Sequence, residues 1–296
     1  MRPAHIGLAL LVAAIWGFNF VVIHLGLGSM PALLLAALRF VVAALPVVLL
    51  PRPAVSWPRL VAIGLFLFVG QFALLFTGMA QGMPPGLASV TLQAQGFLTA
   101  LLAAAVLRER PGPRQIAGIA VAFAGLGVIA LSVGEGGVTP LGFGLSLGAA
   151  ASWAVGNVLL RGAGRVDMLA LMVWLSLVPP LPLLCLSLWL DGPAALGAAL
   201  AGISWVGAGA VLYLAVLATL VGFGLWGQLL KLYPASTVAP FSLLVPIFGT
   251  LSAALVLGER FGPLRLLGMA LILLGLAVTV LPWPRRLRPR PAAPRP

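Results

Sequence analysis

The chain has 296 residues, 62% of them hydrophobic and only 7% charged, with a net charge of +12. A water-soluble domain of this size cannot hide so much apolar surface, so soluble enzymes and soluble binding modules are excluded and a membrane-embedded protein is expected. The basic excess, gathered in short segments between apolar runs and in the final tail, reads as a topology anchor against anionic lipid, with no nucleic-acid partner expected.

Crossing a hydrocarbon core of about 30 Å takes roughly 20 helical residues. Apolar stretches of that length lie at 6–26, 31–50, 60–80, 84–106, 115–133, 141–160, 168–189, 203–226, 235–257 and 264–282, which predicts ten spans. Joins such as Gly28-Ser29-Met30-Pro31, Gly82-Met83-Pro84 and Tyr233-Pro234 stop the helices between them. The first stretch follows Arg2, as the core of a signal peptide would, but it is too long and lacks a persuasive small-residue cleavage site; it is expected to stay as the first span.

Taken in chain order, the polar residues inside these spans are the informative ones. The first span holds Trp16 and Asn19. The second holds Arg39, the only charge well inside a span, at a cost of roughly 2.5–3.5 kcal/mol on insertion scales. No carboxylate lies in any predicted span. Arg39 therefore has three readings: a structural or gate pair with a loop carboxylate (Glu135, Asp191 or Glu259), a contact with an anionic group on a substrate, or a contact with a lipid phosphate. The third span holds Gln71. In the fourth, Ser89, Gln93 and Gly96 fall on one helical stripe and Thr91, Gln95 and Thr99 on another, roughly 200° away. Such a helix belongs inside the bundle, one stripe on a cavity and the other bonded to a neighbour, and the spacing assigns neither Gln to the cavity. The sixth span holds Asn157 and the eighth Trp226. The ninth holds Pro240 and Pro246, which free backbone carbonyls and predict either local unwinding near the midplane or a packing kink. Cys185, alone in the seventh span, forms no disulfide within the chain.

A motif near the end of the fourth span recurs 150 residues later: Leu107-Arg108-Glu109-Arg110-Pro111-Gly112-Pro113 returns as Leu257-Gly258-Glu259-Arg260-Phe261-Gly262-Pro263. The chain thus reads as a first repeat over 1–133, a second over 141–282, and a basic Pro/Arg-rich tail over 283–296. Each repeat carries five spans, an odd number, so the second must enter the membrane inverted. With a cytoplasmic N-terminus, 14 of the 17 basic residues fall on the cytoplasmic side, as the positive-inside rule requires of ten spans with both termini cytoplasmic. Inverted repeats are the usual construction of alternating-access carriers, with the substrate held between the repeats near the midplane. In that frame Glu109-Arg110 and Glu259-Arg260 are equivalent corners, gates or structural turns. No zinc motif, phosphate loop or nucleophile elbow occurs, so no catalytic residue, metal or cofactor is expected.

Trp16-Gly17-Phe18-Asn19-Phe20, Leu38-Arg39-Phe40, Gly70-Gln71-Phe72, Pro85-Gly86-Leu87-Ala88-Ser89, Leu92-Gln93-Ala94-Gln95, the two Glu-Arg turns and the run from Pro240 to Pro246 resemble the EamA-type transporters of the drug/metabolite transporter superfamily. The resemblance covers residues 6–282. It implies an all-α integral membrane fold of ten helices in two inverted five-helix repeats. It also implies efflux, across a bacterial inner membrane, of small amino-acid metabolites of the cysteine and O-acetylserine type. The alternative is a carrier of the same superfamily for another small solute, such as a drug, sugar or purine metabolite. Arg39, Gln71, Gln93, Gln95, Asn19, Trp16, Asn157 and Trp226 are the candidate substrate contacts. The expected partners are the lipid bilayer and the small-molecule substrate, for a monomer or weak homodimer.

Overall fold

The computed structural model describes residues 1–134, 137–161, 163–164 and 166–281. Among them, ten helices are long and apolar enough to cross a membrane: α1 Pro3–Leu27, α2 Ala32–Leu49, α3 Trp57–Ala80, α4 Pro85–Val106, α5 Pro113–Ala130, α6 Pro140–Arg161, α7 Met168–Leu190, α8 Trp205–Leu232, α9 Ser236–Leu257 and α10 Pro263–Val280. The chain is an all-helical, multi-pass membrane protein. Apolar side chains on the outside, such as Val48, Leu181 and Leu255 at 84%, 72% and 76% exposure, suit a surface solvated by lipid. Proline opens α1, α4, α5 and α10, where its missing N–H would have had no helical partner. A shorter apolar helix, Gly192–Ala201, occupies the join between α7 and α8 that the sequence reading leaves as a connection.

The repeated turn folds alike in both copies. After α4 the N–H of Glu109 reaches back to Ala103 O at 3.4 Å, and after α9 the N–H of Glu259 reaches Ala253 O at 3.2 Å. This i to i−6 closure needs a left-handed residue between, which is Gly258 at φ 68° in one copy and Arg108 at φ 56° in the other. A side chain in that region costs roughly 1–2 kcal/mol, partly offset by the extra entropy glycine loses on folding. Arg108→Gly is therefore expected to stabilise the fold by about 0.5–1 kcal/mol. Thermal unfolding in detergent checks this, and an unchanged or lowered Tm contradicts it.

Helices at equivalent places in the two repeats pair with one another: α5 with α10, α4 with α9 and α2 with α7. The remaining large contacts come in exchangeable couples, α1 on α9 with α6 on α4, and α3 on α6 with α8 on α1. The closest packing is backbone on backbone. A Cβ placed on Gly275 would lie 2.5 Å from Gly118 O, and one placed on Gly125 would lie 2.6 Å from Gly268 O. As the chain number rises by seven in α5 it falls by seven in α10, so these equivalent helices run antiparallel.

The helices are irregular at matching depths. α3 is π-helical over Leu65–Gly70 and α8 over Tyr213–Val221. α4 breaks at Leu92 and Gln93, between segments Pro85–Thr91 and Ala94–Val106, while α9 tightens into a 3₁₀ turn over Ala239–Leu243. Pro240 lies in that turn, as unwinding requires, whereas Pro246 sits harmlessly in the first turn of the segment that follows. The break in α4 corrects the two-stripe reading, which counted Ser89, Gln93 and Gly96 on one unbroken helix. It carries no proline, and its N–H groups of Gln93, Gln95 and Gly96 bond three residues back instead of four. α4 is also not enclosed throughout: residues 85–92 are buried, but Gly96, Leu101 and Val106 are exposed.

Candidate functional site

Arg39 is the centre of the described polar interior. It is 2% exposed, and its Nη2 donates to Thr219 Oγ1 at 2.7 Å in the π-helical part of α8. Thr219 in turn donates to Leu214 O at 2.8 Å, five residues back, a geometry the π turn provides. The guanidinium lies 4.2 Å from the centroid of Phe72 and 4.9 Å from that of Phe40, so ring faces supply part of the compensation the cation needs. Nε and Nη1 of Arg39 are buried with no hydrogen-bond partner. Of the loop carboxylates considered for Arg39, Asp191 accepts from Ser187 Oγ and Glu259 from Gly86 N, while Glu135 lies outside the described residues.

The other candidates gather around the same irregular segments. Trp16 donates from Nε1 to Ala218 O at 2.9 Å, next to Thr219, and its ring packs at a tilt against Phe223 and Trp226, with centroids 5.2 and 5.3 Å away. Gln71, adjacent to Phe72, is 1% exposed with Oε1 unpartnered; Asn19, one turn beyond Trp16, likewise has Oδ1 buried and unpartnered. Phe72 meets Trp153 of α6 edge-on at 6.4 Å, which links this group to a second one at the break of α4. There Asn157 donates to Thr99 Oγ1 at 3.3 Å, Thr99 donates to Gln95 O at 2.6 Å, and Gln95 Oε1 is buried without a partner. Gln93 is partly buried at the break itself. Thr219 escaped the sequence reading, although a lone hydroxyl in the run Leu217-Ala218-Thr219-Leu220 was its available signal.

The corners lie at the helix ends, away from these groups. Glu109 pairs with Arg161 and Asp167 with Lys231, each at 2.5 Å and each partly exposed. Asp167 Oδ1 also accepts from Ala170 N, capping α7, and this bond, with that from Lys231, holds its carboxyl below the ordinary range. Glu259 is set differently. Burial pushes its carboxyl up, against hydrogen bonds from the backbone of Gly86 and Leu87 and the charge of Arg265. Arg110 and Arg260 are exposed.

Two successive segments, residues 4–131 and 140–281, match the model of the EamA-like transporter family. The chain belongs to the EamA-like transporter family. This EamA-like chain is 45% identical over 279 residues to the probable amino-acid metabolite efflux pump of Escherichia coli (strain K12), covering 92% of this chain and 93% of that one. The protein of the same description in Salmonella typhimurium matches equally, and the probable terminal-alkyne amino-acid exporter of Streptantibioticus cattleyicolor is 29% identical over 277 residues, covering 90% and 89%. A solved crystal structure at 21% identity shares the fold, with a TM-score of 0.63 over 94% of this chain and 97% of its own. Membership places the chain among transporters and not enzymes, and its cargo among small molecules.

Proposed function

We propose that this EamA-like transporter exports small amino-acid metabolites of the cysteine and O-acetylserine type across a bacterial inner membrane by alternating access. The observation that carries the reading is Arg39: a buried cation whose hydrogen-bond partner is a neutral hydroxyl, with Nε and Nη1 unpaired, packed on Phe72, whose chain neighbour Gln71 has its amide oxygen buried and unpaired. An amino-acid carboxylate would meet the guanidinium and the amide groups of Gln71, Gln93 or Gln95 the remaining polar atoms, with Asn19, Asn157, Trp16 and Trp226 lining the passage. The names of the relatives support the cargo class, and the antiparallel run of α5 and α10 supports inversion of the repeats 1–133 and 141–282. Both termini, with the basic tail 283–296, are assigned to the cytoplasm; the tail lies outside the described residues.

The carboxylate requirement is directly testable. Equilibrium binding of radiolabelled O-acetylserine to the purified protein should be displaced by unlabelled amino acids and weakened about tenfold or more for methyl esters, which lack the charge-assisted contact. Equal affinity for acid and ester removes Arg39 as the carboxylate site. Binding confined to sugars, purines or cationic drugs moves the chain to another cargo within its family.

A further inference from the structure

The repeated turn is used differently at the two ends of the molecule. At one end Glu259 Oε2 accepts from the N–H of Gly86 at 2.8 Å, so the turn is seated on the first turn of α4. Gly86 makes the seat possible: a Cβ there would lie 2.7 Å from Phe261 Cζ and 3.0 Å from Glu259 Oε2. The 150-residue register pairs Glu109 with the first turn of α9 in the same way, opposite Ser236 and Thr237. That contact is not made. Glu109 pairs with Arg161, and Ser236 and Thr237 are exposed, the N–H of Thr237 already held by Pro234 O at 2.8 Å.

Packing follows the carboxylates. The first half of α4 lies along the second half of α9, and among the described residues the other halves of these helices have no comparable packing. The end marked by Glu259 is therefore closed and the end marked by Glu109 splayed. The match of Trp16 with Trp153 places His24 of α1 where Arg161 stands in α6, and His24 lines the cleft of about 380 Å³ beside Glu259. Arg260 and Arg265 line the same cleft, so each carboxylate has both a helix start of the other repeat and basic side chains within its own end.

We propose that Glu259 and Glu109 are alternating gate residues, each docking on the first turn of the other repeat's discontinuous helix, Glu259 on the N–H of Gly86 and Glu109 on that of Ser236. Transport exchanges which one is docked. Unpaired N–H groups at a helix start favour an anion, so the docked carboxylate holds its end shut. The inference rests on the alternating-access reading above.

Spin-label distances in the full chain in lipid nanodiscs test it, with Cys185→Ser removing the native thiol. Gln81→Cys with Gly262→Cys reports the Glu259 end, and Leu232→Cys with Gly112→Cys the other; both glycines have ordinary negative φ and open space around them. Glu259→Gln removes one charge-assisted contact and is expected to shift the populations about tenfold, lengthening the 81–262 distance and shortening the 232–112 distance. Gly86→Ala, which crowds the same seat while keeping the carboxylate, should shift them in the same direction. Glu109→Gln should deplete the population with the short 232–112 distance. Distances that ignore Glu259→Gln and Gly86→Ala, or ends that open together, overturn the gate. Solute flux separates this from the functional reading: flux with insensitive distances sinks the gate alone, whereas exchanging distances without flux of any solute keep the gate and sink the transport assignment.

Discussion

Arg39→Gln is expected to lower solute flux by about a hundredfold while leaving the protein folded. Losing a hydrogen bond to a charged group costs about 1.5–3 kcal/mol, a factor of roughly 10 to 150, and the remote field of the cation is lost with it. The fold should tolerate the change because among the described residues no carboxylate pairs with Arg39 to be orphaned, and Thr219 keeps its bond to Leu214 O. Removing a buried cation that is bonded to a hydroxyl and to no counter-charge relieves desolvation, so a Tm equal to or above that of the parent accompanies the lost flux. Flux in reconstituted vesicles and thermal unfolding on the same preparation separate the two effects. Wild-type flux from the variant would show that the guanidinium contacts no cargo.

The second large effect is structural. Gly275→Val is expected to destabilise the protein by about 3 kcal/mol, because its Cβ would fall 2.5 Å from Gly118 O and 2.8 Å from Ala122 N, atoms of a helix backbone that cannot rotate away. Gly118→Val meets Gly275 O at 2.7 Å from the other side and should cost a similar amount. The double variant should cost clearly less than the sum, since once α5 and α10 have moved apart the second side chain enters space already opened. Unchanged Tm for the single variants, or strict additivity for the pair, would mean that these helices do not meet along the glycines.

The ten spans were legible because their signal is length and apolarity, which the bilayer imposes on any crossing helix. The duplication was legible because Glu-Arg and Gly-Pro matches are rare in a chain with only five acidic residues. Arg39 stood out as the only charge well inside a predicted span. Its partner did not. Thr219 reaches it through a π turn, and the π segments of α3 and α8 consist mainly of apolar residues indistinguishable from their neighbours in the sequence. The break of α4 at Gln93 was hidden similarly: prolines announced the turn in α9, but the equivalent place in α4 is interrupted without one. Helix-wheel reasoning assumes a continuous 3.6-residue period, so its two stripes do not carry across the break in the one helix where the polar residues cluster.

The central claim is that a carrier of amino-acid metabolites is built around Arg39, and counterflow in proteoliposomes tests it most directly. Vesicles loaded with unlabelled O-acetylserine or cysteine should draw in the corresponding radiolabelled compound well above the leak of empty liposomes, and Arg39→Gln vesicles should not. Uptake limited to solutes without a carboxylate, or equal uptake by parent and variant, would contradict the account.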